Sequence, residues 1–130
     1  MRTIIFIVIL MLCLVACESE PPAIAFEDLP PVGDVMRGAE IFEQSIDETP
    51  ACSTCHRVDD TPLVGPGLGD YGNRAGERVN DQSAEEYTYN SIVRPANHLV
   101  TGFSNVMYNA YDEHLTAQDI ADLIAYLLSL

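Results

Sequence analysis

Cys52-Ser53-Thr54-Cys55-His56 decides how this chain is read: two thiols three positions apart, with an imidazole directly after the second. Such a pair has several common uses. A structural zinc site needs four Cys or His ligands, and beyond His56 only His98 and His114 remain. A thioredoxin-like redox pair belongs in a βαβ setting, which the flanking sequence lacks. A plain disulfide gives His56 no role. The C-x-x-C-H run is the attachment pattern of c-type haem. Each thiol can form a thioether to one porphyrin vinyl group, and the next residue then lies beneath the iron, so His56 supplies an axial imidazole. The expected cofactor is one covalent haem c.

The two remaining cysteines lie near the start of the chain. Arg2 precedes an unbroken apolar run over residues 4–14, long enough for the core of a signal peptide and too short to span a bilayer. The run ends in Leu14-Val15-Ala16-Cys17, which resembles the lipobox of bacterial lipoproteins. Residues 1–16 are therefore expected to be a signal peptide and Cys17 the lipidated N-terminus; an uncleaved anchor, or a secretory signal with a stray cysteine, is the alternative. Either way the domain is exported, to the periplasm or the outer face of the cytoplasmic membrane. Two or more acyl chains give stable attachment, at about 0.8 kcal/mol for each buried methylene. On this reading Cys13 leaves with the signal, Cys17 takes lipid, and Cys52 and Cys55 take haem.

The whole chain of 130 residues carries 20 Asp and Glu against six Arg and no Lys, a formal charge of −14. Loss of residues 1–16 removes Arg2 and no acid, leaving −15. A charge of this sign repels nucleic acid and anionic lipid headgroups and favours encounter with a basic docking surface on a redox partner.

Residues 18–34, ESEPPAIAFEDLPPVGD, are acidic and broken by four prolines. That composition suits an extended tether over residues 17–34, reaching roughly 50 Å at ~3.1 Å per residue. Residues 35–130 are enough for one domain and too few for two. A helix is predicted over residues 35–45, with Val35, Gly38, Ala39, Phe42 and Ile46 on one face. A second starts at Ser83, with Glu86 at capping-box spacing, shows Ala84, Tyr87, Thr88, Ser91 and Ile92 on one face, and stops before Pro95. The last is capped by Thr116 with Asp119 and carries the stripe Ile120, Leu123, Ile124, Leu127 and Leu128. Residues 57–82, with five glycines, and residues 95–115 show no periodicity. Loops this long in a compact domain imply a site that orders them, and a large apolar cofactor is the natural object for them to wrap.

Over residues 35–130 the chain resembles the class I cytochrome c family, and is similar to haem c domains associated with respiratory oxidases. The resemblance implies an all-α fold of three to four helices wrapped around one covalent haem. Gly38-Ala39-Glu40-Ile41-Phe42 resembles the family's N-terminal helix, whose glycine and aromatic pack on an aromatic of the C-terminal helix, here Tyr126. Gly65-Pro66-Gly67-Leu68 and Gly72-Asn73-Arg74-Ala75-Gly76 resemble the segment after the haem motif. By that resemblance the Pro66 carbonyl accepts the Nδ1 proton of His56, Leu68 covers the ring, and Arg74 pairs with a haem propionate.

The sixth ligand must come from Met36, Met107, His98 or His114 once residues 1–16 are gone. Met107, in Gly102-Phe103-Ser104-Asn105-Val106-Met107, stands where family members present their methionine, although Tyr108 follows it in place of the usual proline. Ser91-Ile92-Val93-Arg94-Pro95-Ala96-Asn97-His98 resembles the run leading into that loop, which makes His98 a loop residue. His56 and Met107 as axial pair imply an electron carrier rather than an enzyme, tethered or held as a subunit of a respiratory or photosynthetic complex. A haem sensor or small peroxidase-like enzyme with an exchangeable sixth ligand is the alternative.

Overall fold

Asp34 opens the first helix. In the computed structural model, which describes residues 22–130, its carboxylate accepts from the backbone N–H of Met36 at 2.8 Å and of Arg37 at 3.1 Å, satisfying two donors that a helix start leaves without partners. The helix, α1, spans Val35–Glu43 and buries Gly38, Ile41 and Phe42. It ends before Ile46, so the predicted face is shorter than its periodicity suggested, and Val35 at its first position stays 42% exposed.

Four α-helices and several single 3-10 turns make up the domain, with no strand among the described residues. After α1 come α2, Tyr71–Ala75, α3, Ala84–Val93, and α4, Ala117–Leu128. The α3 helix starts at Ser83, whose Oγ accepts from Glu86 N–H at 3.1 Å, and stops at Arg94 ahead of Pro95, which disfavours helical backbone in the residue before it. A complete capping box starts α4: Thr116 Oγ1 accepts from Asp119 N–H at 3.1 Å while Asp119 Oδ2 accepts from Thr116 N–H at 3.0 Å. The α2 turn falls inside the predicted loop over residues 57–82. Five residues are too few to show a helical period, so nothing local announces it.

Helices α1 and α4 cross with their backbones in close approach at Gly38. A methyl group on Gly38 would stand 2.7 Å from Tyr126 Cβ and run into the Asp122 carbonyl. One turn further on, the rings of Phe42 and Tyr126 meet edge to face at 5.6 Å, a favoured aromatic geometry. The core continues through Ile120, Leu123, Ile124 and Leu127 of α4 to Tyr89, Ile92 and Val93 of α3.

Tyr89 lies off the face that periodicity assigned to α3 and is nevertheless buried. Its cover is the segment read as a tether: the Tyr89 hydroxyl donates to the Ile24 carbonyl at 2.5 Å, and the Phe26 ring lies 5.4 Å from its own. From Ala23 onward that segment is packed on the domain. Its prolines make it extended, but Ile24, Phe26 and Leu29 are apolar and lie against the core, which composition averaged over the whole stretch conceals. The expected signal peptide, residues 1–16, and Cys17 lie outside the described residues.

Candidate functional site

The haem motif is wound into a 3-10 turn at Cys52–Thr54. The Cys52 carbonyl accepts from the N–H groups of Cys55 at 3.1 Å and His56 at 3.0 Å, so both thiols and the imidazole are presented from one tight turn. The chain then folds back on itself: Gly65 N–H donates to the Cys55 carbonyl at 2.9 Å, and Leu68 N–H to the Arg57 carbonyl at 2.8 Å. That fold-back carries the Pro66 carbonyl to 2.9 Å from His56 Nδ1. A carbonyl can only accept, so Nδ1 holds the proton and Nε2 keeps its lone pair free for a metal.

Gly65 lets the imidazole lie flat against the returning loop. A methyl group there would stand 2.8 Å from Nδ1 and 2.9 Å from Nε2 of His56, so only a residue without a side chain leaves the ring in place. Gly65→Ala is expected to keep the thioether-bound haem and displace the imidazole, seen as altered axial-ligand bands in the visible spectrum and readier loss of the His–iron bond on acidification. Unchanged bands in the purified variant would show that the ring has room to spare.

Cys52, Cys55, His56, Pro66, Leu68 and Met107 all line one cavity of about 360 Å³. Its wall is mostly aliphatic and aromatic, with Phe42 from α1, Tyr87 and Ile92 from α3, and Leu123 and Leu127 from α4. No buried side-chain nitrogen or oxygen among the described residues lacks a hydrogen-bond partner. An apolar slot whose polar atoms are all satisfied, rimmed by two thiols and an imidazole with a free lone pair, fits a porphyrin. It does not fit a bare metal ion: among the described residues no three His, Cys, Asp or Glu side chains come together as ligands. Burial pushes the Cys52 thiol up to about 11, with the neighbouring Cys55 and Glu43 adding to the shift.

Two of the four candidate sixth ligands lie away from the cavity. Met36 is 75% exposed on α1, and neither it nor His114 lines the cavity. Met107 is half-buried in the cavity wall beside Val106 and Tyr108. His98 also borders the cavity, at an exposed position, with its ring edge-on to Tyr87 at 5.6 Å.

Arg74 is not brought to the cavity. Its guanidinium turns back within its own helix, donating to the Gly69 carbonyl and to the Asp70 carbonyl, the latter at 3.2 Å. Those two carbonyls are its partners here, and the propionate pairing stays an expectation of the resemblance.

Two tyrosines of the wall escaped the sequence reading. Tyr71 donates its hydroxyl to Thr88 Oγ1 at 3.1 Å, and Thr88 in turn donates to the Ala84 carbonyl at 2.6 Å. Tyr111 donates to the Pro50 carbonyl at 2.9 Å, pinning the chain just before the haem motif. Neither belongs to a motif, and only the tertiary pairing reveals them. Burial raises both phenols, Tyr71 to about 12 and Tyr111 still further. A phenol in the unfolded chain titrates near ~10, so the raised folded pKa contributes stability that is complete below pH ~10 and is lost as pH climbs toward 12. Tyr71→Phe is expected to flatten this alkaline decline, which thermal melts between pH 9 and 12 will report; an identical decline would assign it to other groups.

A helical domain that presents two thiols and a prepared imidazole to an apolar slot defines a carrier of covalently held haem. The cytochrome c family model matches residues 35–130, and the chain belongs to that family as a class I cytochrome c. Its cofactor is covalently attached haem c, its activity haem-based electron transfer, and its partners are redox proteins. No curated protein matches the chain.

Proposed function

We propose that this protein is a membrane-tethered monohaem cytochrome c, lipidated at Cys17 and exported to the outer face of the cytoplasmic membrane, where it passes single electrons in a respiratory or photosynthetic chain. The observation that carries electron transfer rather than catalysis is the placement of His56 and Met107 in the wall of one cavity. His56 and Met107 would hold the iron between them, and a haem so held would offer no site to oxygen or substrate.

Bound haem supplies a ferric–ferrous couple that takes up and releases one electron at a time. The protein's own residues make that exchange easy. Cys52 and Cys55 would hold the ring through their thioethers, whichever side chains bind the iron. The Pro66 carbonyl fixes the His56 imidazole in one tautomer and orientation, so little rearranges between oxidation states. Leu68, Tyr71 and Thr88 keep the wall dry and its polar atoms internally paired. An apolar wall and a neutral thioether favour the ferrous state and raise the potential. The charge of −14 suits a partner with a basic docking surface, and electron exchange with such a partner should slow as salt is added.

The reading is tested by visible spectroscopy of protein extracted from membranes, oxidised and reduced. A thioether-linked haem with imidazole and sulfur ligation, refusing carbon monoxide when reduced, supports it. Rapid carbon monoxide binding by the native protein would instead establish the exchangeable sixth site of a sensor or peroxidase.

A further inference from the structure

Residues 23–34 are bonded to the rest of the domain near both ends. Ala23 N–H donates to Asp112 Oδ2 at 2.7 Å and the Tyr89 hydroxyl to the Ile24 carbonyl at 2.5 Å. Toward the other end, Gln118 Nε2 donates to the Val32 carbonyl at 3.2 Å and Asp34 N–H to Asp122 Oδ1 at 2.7 Å. Between these ends the Phe26 ring packs on Tyr89 at 5.4 Å. Asp112 and Asp122 are both buried, so each bond is made by a carboxylate that would otherwise stand desolvated without that donor.

The route of this strap avoids the haem cavity. None of residues 22–34 lines the cavity, whose walls take Tyr87, Thr88, Ser91 and Ile92 from α3 and Leu123 and Leu127 from α4. The strap takes Tyr89 from α3 and Gln118 and Asp122 from α4. It therefore runs along positions of both helices that the cavity does not use.

We propose that residues 23–34 are a clasp that sets the height and orientation of the haem domain at the membrane. The inference rests on the reading of Cys17 as the lipidated residue. With the clasp closed, the five residue steps from Cys17 to Pro22 reach at most ~18 Å; opening it adds twelve residues, or up to ~40 Å more, at ~3.3–3.6 Å each. A domain on the short leash meets partners whose docking surface lies close to the bilayer, and meets them with the cavity side unobstructed by its own tether. That favours a membrane-embedded redox complex as partner over a soluble protein.

The test uses the full lipidated holoprotein in phosphatidylcholine vesicles bearing a head-group fluorophore, which haem quenches by energy transfer falling steeply with distance. The clasp is opened by Tyr89→Phe with Asp112→Ala, which removes the acceptor of the Ala23 N–H, and independently bypassed by a Gly/Ser spacer of about twelve residues inserted between Pro21 and Pro22. The expected result is strong quenching in the wild type and a several-fold loss in both variants, with haem absorbance unchanged. A loss with the spacer but none with the double substitution overturns the clasp. Weak quenching in the wild type, equal to that of the spacer variant, overturns it too. Wild-type protein that partitions into water rather than detergent, as Cys17→Ser should, removes the lipid and the height control with it. Amide exchange on the wild type covers a double variant that fails to fold: the Ala23 and Asp34 amides should exchange as slowly as core amides, and exchange at loop rates refutes the clasp.

Discussion

Met107→Ala will keep its haem through Cys52 and Cys55 while its midpoint potential falls by on the order of 100 mV, within the ~0.8 V range that axial ligands command. On the proposed ligation, attachment and axial bonding are separate: the thiols come from residues 52–55, whereas Met107 reaches the cavity from a loop ahead of α4. If Met107 is the sixth ligand, removing its sulfur opens that position without releasing the ring. The reduced variant should bind carbon monoxide rapidly where the wild type does not, and the sulfur-to-iron charge-transfer band should vanish. Potentiometric titration and a haem stain on a denaturing gel measure the two halves of the prediction. Should potential and spectrum stay as in the wild type, the ligand is not Met107, and His98, the other donor bordering the cavity, becomes the residue to replace.

The second large effect is on stability. Gly38→Ala should lower the melting temperature of the holoprotein by about 8–16 °C, taking ~4–8 °C for each kcal/mol in a domain of this size. Two terms oppose each other. Alanine is the better helix former by about 1 kcal/mol, whereas overpacking costs about 1–3 kcal/mol and occasionally more. Here the obstacle is the Asp122 carbonyl and Tyr126 Cβ, atoms of a helix that cannot rotate aside, so α1 must lift from α4. Because the clash is with backbone, the packing cost is taken at the top of its range, about 3 kcal/mol, and outweighs propensity by about 2 kcal/mol. Because Gly38 does not line the cavity, the visible spectrum below the transition should stay unchanged. Equal or higher melting temperature would mean that the crossing opens without cost.

Much of the site was legible because its chemistry is local. Cys52, Cys55 and His56 sit within one turn, and their spacing announces haem without reference to anything distant. The caps of α3 and α4 were legible for the same reason, since Ser83 to Glu86 and Thr116 to Asp119 are contacts within a single helical turn. Pro66, Leu68, Arg74 and Met107 came from resemblance, which supplies an address and not a contact. The structure brings Pro66, Leu68 and Met107 to the cavity and leaves Arg74 outside it.

Sequence by itself determined the cofactor, its two points of attachment, the helical class of the fold and the strong negative charge, because each depends on residue type and short spacing. Only the tertiary structure decided which candidate donors line the cavity, that Tyr71 and Tyr111 close its wall, and that residues 23–34 lie on the domain instead of swinging from it. Those outcomes depend on pairings such as Ala23 with Asp112 and Ile24 with Tyr89. Partners separated by 89 and 65 positions leave no period or motif along the chain, and composition counts the prolines of a segment without recording what its few apolar side chains can reach.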